Sequence, residues 1–118
     1  MTIEVTKIEG LDAFALCGAM RAPGLGELDP ITVILQDHGE GRGTLIVTCF
    51  TSAWTCYWGD MGCNLRSFIA SSFADYIAGC LIRGRNLKNQ RTHKVETKYL
   101  VDIARAIKAS IKTEAEHG

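Results

Sequence analysis

The sequence predicts an α+β domain. An antiparallel sheet of three or four strands, from the N-terminal part, is covered on one face by two or three helices from the C-terminal part. Three observations predict this. Two β-branched runs flank a glycine-rich turn near residue 40, and a third alternating run follows at once. Past residue 70 the apolar spacing changes from two residues to three and four. Strands thus precede helices along the chain, the order expected of a sheet with helices on one side.

Taken in order, residues 2–9 carry Ile3, Val5 and Ile8 among polar neighbours and predict a strand that Gly10 ends. Residues 11–21, rich in Ala and Leu, predict a short helix. Pro23, Gly24, Gly26 and Pro30 punctuate a loop. Residues 31–36 alternate, with Ile31, Val33 and Leu35 on one face, and predict a strand. The turn 37–43 contains three glycines, and 44–50 is a second strand that completes a hairpin.

After the break at Thr51 and Ser52, residues 53–58 form the next strand. Trp54, Cys56 and Trp58 share one face, and Thr55 and Tyr57 the other. Gly59 and Gly62 end it. Residues 64–70 predict a short helical turn. A helix capped by Ser71 or Ser72 then runs to about Arg83, with Asp75 completing a capping box with Ser72. Phe73, Tyr76, Ile77, Cys80 and Leu81 make its apolar stripe. Residues 84–94 are a polar, basic connection. A last helix over 95–113 buries Tyr99 or Leu100, Ile103, Ile107 and Ile111.

The 118 residues are the length of one domain, and a hydrophobic content of 47% is enough for one core. No apolar run approaches the roughly 18 residues of a membrane span. The first residues lack the basic-then-apolar pattern of a secretory signal, so a cytoplasmic protein is expected. Five cysteines, an odd number with no Cys-x-x-Cys, read as free and mostly buried thiols. Net charge is zero, but residues 1–62 carry three Lys/Arg against eight Asp/Glu, and residues 63–118 carry ten against five. An acidic side and a basic side follow, an arrangement that steers a partner or permits a homodimer.

Three stretches carry a family likeness: AspProIleThrVal at 29–33, ThrCysPheThrSerAlaTrpThrCysTyrTrpGlyAspMetGly at 48–62, and PheIleAlaSerSerPheAlaAspTyrIleAla at 68–78. From Leu28 to Tyr76 the chain resembles a family of small proteins encoded by bacteriophages and prophages. The resemblance implies a genomic setting, a small accessory gene of a phage, and brings no catalytic residue with it.

Several clusters are candidate sites. Trp54 and Trp58 are read as core. Tyr57 points the other way and, with Asp60 and Met61 in the turn that follows, is a candidate anchor for a protein partner. Arg83, Arg85, Lys88, Arg91 and Lys94 fall within twelve residues without an acid, a pattern that holds an acidic partner or nucleic-acid phosphates. No aromatic is interleaved there, so base stacking is not expected. Cys49, Cys56 and Cys63 recur every seven residues, which is no zinc spacing, and no metal or cofactor is expected. Cys63, with His38 or His93 as base, is the best-placed thiol nucleophile.

The functional expectation is non-catalytic. It is a phage accessory protein that inhibits or modulates a host protein or an anti-phage defence complex, as anti-CRISPR proteins do. The alternatives are a nucleic-acid-binding accessory protein using 83–94, and a small-ligand-binding protein or thiol enzyme.

Overall fold

A computed structural model describes residues 3–8, 11–19, 21, 24, 26–83 and 90–117, with the side chains of 90 and 112–117 left aside. Strands β1 (Leu11–Leu16), β2 (Ile31–Gly39), β3 (Arg42–Cys49) and β4 (Ser52–Trp58) form one antiparallel sheet in chain order. Helices α1 (Leu65–Ser71), α2 (Ala74–Ile82) and α3 (Gln90–His117) follow. The architecture is the α+β arrangement the sequence predicts.

The register divides the sheet into two faces. Phe14 pairs with Val33, Val33 with Val47, and Val47 with Trp54, so these four lie across one face. With Ile31, Leu35, Leu45 and Trp58 they turn towards the helices, and Trp54 and Trp58 are buried as expected. From the helices come Leu65, Ile69, Ile77, Leu81, Leu100, Ile103 and Ile107, all at most 1% exposed. Each such side chain contributes roughly 1.5–3 kcal/mol of transfer free energy.

Specific polar contacts fasten the layers. Trp58 Nε1 donates to the Tyr76 hydroxyl at 3.1 Å. Asp37 accepts from the backbone N–H groups of Gly39 at 2.8 Å and Leu65 at 3.0 Å. These two bonds, that of Leu65 foremost, hold its carboxyl below the usual carboxylate range. Asn64 caps α1 by accepting from Ser67 N at 2.8 Å. Arg66 of α1 reaches β1, donating to Asp12 Oδ2 through Nε at 3.1 Å and Nη2 at 3.0 Å.

Several elements differ from the expectation. Residues 3–8 form no strand, and Ile3 and Val5 are 77% and 92% exposed. Residues 11–16, expected to be helical, are instead the edge strand β1. Pairing with β2 outweighs the helix propensity of Ala and Leu. Strand β3 ends at Cys49, one residue before Phe50.

Ser72 does not begin a helix; it ends one. Its N–H and Oγ both donate back to Phe68 O, at 3.1 and 2.6 Å, as the C-cap of α1. Phe73 is the N-cap of α2 without a side-chain bond, so the capping box with Asp75 does not form. Phe73 and Tyr76 leave the buried stripe, at 81% and 44% exposure. Helix α3 begins at Gln90, which takes Arg91 and Lys94 out of the expected connection and onto a helix. Among the described residues no single helix is long and apolar enough to cross a membrane. Helices α1 and α2 together are apolar, but they meet at 116°.

Candidate functional site

All three helices pack on one side of the sheet, so its other face has no cover among the described residues. That face is three rows of four. Leu11, Gln36, Thr44 and Tyr57 form the first row, Ala13, Ile34, Ile46 and Thr55 the second, and Ala15, Thr32, Thr48 and Ala53 the third. None of the twelve is charged. The cause is the strict alternation along each strand, which sends the large apolar residues inward and leaves Thr, Ala and Ile outward. The result is an uncharged face whose polar groups are the Gln36 amide and the hydroxyls of four threonines and Tyr57.

Tyr57 closes one end of this face. It is 58% exposed and its ring lies 6.0 Å from that of His38. His38 Nε2 in turn shares a 2.9 Å hydrogen bond with Thr44 Oγ1. Beyond Tyr57 the chain turns through Asp60, which is exposed, and Met61, which is half-buried against the core. The turn is tied to the β2–β3 hairpin by Met61 N donating to Gly41 O at 2.8 Å. Gly41 has φ +77°, and an added Cβ would come within 3.2 Å of Gly62 N, so the close approach needs glycine there. Of the three residues the sequence grouped, Tyr57 and Asp60 are thus accessible, and Met61 anchors the turn from inside.

The opposite end holds a residue that sequence reasoning missed. Phe50 stands in the two-residue turn between the paired Cys49 and Ser52. It is 80% exposed with φ +58°. No sequence signal finds it, because the turn is defined only by the pairing of Cys49 with Ser52.

The basic residues separate. Arg85 and Lys88 lie outside the described residues. Arg83 is the exposed C-cap of α2. Arg91 and Lys94 are exposed on α3, one turn apart, and Lys98 and Arg105 continue their line. Beside them is a groove of about 380 Å³ lined by Arg21, Lys98 and Arg105, by the acids Asp75 and Asp102, and by Val101. The Arg21 guanidinium lies 5.3 Å over the Tyr99 ring. The Tyr99 hydroxyl, 3.0 Å from Cys49 Sγ, is pushed up to about 12 by burial and then by that thiol. Tyr99 is therefore a neutral support for the cation at neutral pH.

The cysteines are all free, but Cys17 and Cys63 are exposed rather than buried. Cys63 Sγ lies 3.7 Å from Met61 O, while His38 is engaged with Thr44, so these bonds do not assemble a thiol and base. Cys56 is pushed up to about 12 by burial and by its neighbour Cys80, the reverse of an activated thiol. Among the described residues no three His, Cys, Asp or Glu side chains converge as metal ligands.

The chain matches a family of phage proteins, Phage_phiTE_072, over residues 14–116. It belongs to that family. The match to Phage_phiTE_072 extends well beyond the stretch from Leu28 to Tyr76 that carries the likeness in sequence. It takes in all but the start of β1, all of the uncharged face except Leu11 and Ala13, and α3 through residue 116. No curated protein and no solved structure matches the chain.

Proposed function

We propose that this phage protein is a non-catalytic binding module that docks on a host protein or an anti-phage defence complex and modulates it. The observation that carries the reading is the uncovered sheet face, twelve residues without a charge, with the exposed Tyr57 in its end row and the exposed Phe50 beyond the opposite end. Burying such a face requires no desolvation of ions, and its Ile, Thr and Tyr side chains supply apolar area at small entropic cost. Tyr57 is the type of residue that dominates binding energy when a partner encloses it. Asp60, exposed next to it, adds a rim charge that favours one orientation of approach.

The test is capture of partners from a nuclease-treated bacterial lysate, read by mass spectrometry, with wild-type protein and with Ile46→Glu and Tyr57→Ala. A protein captured stoichiometrically by the wild type and lost with both variants is the expected result. Circular dichroism shows whether the variants keep their fold. An unchanged set of captured proteins with folded variants would mean that this face does not bind.

A further inference from the structure

We infer that α3 presents a linear cationic ridge that binds the phosphate backbone of nucleic acid, on a surface separate from the sheet face proposed to bind protein. Arg91, Lys94, Lys98, Arg105 and Lys108 recur at intervals of three, four, seven and three residues. At 3.6 residues per turn these positions fall within roughly 100° of the helix circumference and span about 26 Å of its axis. The arc lies opposite the buried line of Leu100, Ile103, Ile107 and Ile111, so the core fixes its outward direction. Arg91, Lys94, Lys98 and Arg105 are exposed and Lys108 is half-buried.

Two acids line the groove beside the ridge. Asp102, beside the arc, is 7% exposed and sits behind Arg105 at 3.4 Å, so it orients that guanidinium and presents little charge to solvent. Asp75 of α2 lines the adjoining groove with Arg21, Lys98 and Arg105, and Asp102 is the second acid in that lining. Arg21, stacked on Tyr99, adds a sixth cation there. The overall formal charge of zero leaves the ridge as a local feature, without a general attraction for polyanions.

A phosphate backbone fits this geometry better than an acidic protein. Duplex DNA carries about one charge per 1.7 Å of axis, an unbroken line that a straight row of cations can follow over about seven base pairs. The ridge has no aromatic side chain, so it offers charge without base stacking or base readout. Binding without sequence preference follows.

Fluorescence anisotropy with an end-labelled 20-base-pair duplex tests this. Some four neutralised phosphates give a log–log salt slope near −3.6, on the order of a 100-fold loss of affinity between 50 and 200 mM salt. Lys94→Glu with Lys98→Glu is expected to weaken binding at least 10-fold. Arg42→Glu, half that charge change at the remote β2–β3 turn, should alter it less than 2-fold, and Asp75→Asn should strengthen it. Three results overturn the inference: no saturable binding at 50 mM salt, equal loss with Arg42→Glu, or competition by polyglutamate matching that of unlabelled duplex at equal charge. The last assigns the ridge to an acidic protein. Because the sheet-face residues are untouched, failure here leaves the protein-docking proposal standing.

Discussion

Phe50 occupies a position that glycine fits better. It is the first residue of the turn joining β3 to β4, and of the two turn residues it alone has positive φ. That pattern belongs to the type II′ hairpin turn, where glycine is favoured at this place. An L-residue there costs about 1–2 kcal/mol, and Phe50, 80% exposed, recovers little of it by burial. Phe50→Gly is therefore expected to raise Tm by roughly 4 °C in a thermal melt. If Phe50 belongs to the docking face, the same variant captures less partner. A melt at or below the wild-type Tm would show that the side chain packs usefully after all. The sequence could not mark this residue, because ThrCysPheThrSer reads equally as the end of a strand; the turn becomes visible only once Cys49 pairs with Ser52.

At the scale of elements, Asp37 links the β2–β3 hairpin to α1. Its two oxygens accept from Gly39 N and Leu65 N, which fixes the hairpin bend and satisfies an N–H at the start of the helix. Both bonds favour the ionised form, and the folded pKa is lowered. The contribution is therefore present above the unfolded carboxyl range and is lost as pH falls through the lower folded value. Asp37→Asn is expected to lower Tm at pH 7 by roughly 4 °C, because the amide has one acceptor where two are used. The gap between the proteins should narrow at pH 3; a gap of equal size at both pH values would rule the ionised carboxylate out as its source. The hairpin itself was legible, since β-branched runs around three glycines leave few other folds for residues 31–50. The edge strand was not. LeuAspAlaPheAlaLeu has helix-forming composition, and only the open edge of β2 makes it extended. Ser72 misled for a related reason: a serine between two apolar runs reads as the start of the second helix, whereas its N–H and hydroxyl close the first.

For the whole molecule, two surfaces of different character stand apart. The sheet places a face without charge on one side, and the helix layer places the cations of α3 on the other. The basic segment was legible as composition, but its geometry was not. Spacing in a supposed loop gives no direction, whereas α3, phased by Leu100, Ile103 and Ile107, lines Arg91 and Lys94 up with Lys98 and Arg105. Two surfaces separated by a packed core should behave independently, since substitutions that share no partners add. Ile46→Glu is expected to abolish protein capture and leave duplex affinity within 2-fold. Lys94→Glu with Lys98→Glu is expected to do the converse, and the triple variant to lose both with its fold intact. Anisotropy and capture on the same four proteins decide it. Loss of protein capture in the lysine variant would mean that both surfaces serve one partner reaching around the domain. Unaltered independence would mean that the two surfaces engage their ligands separately.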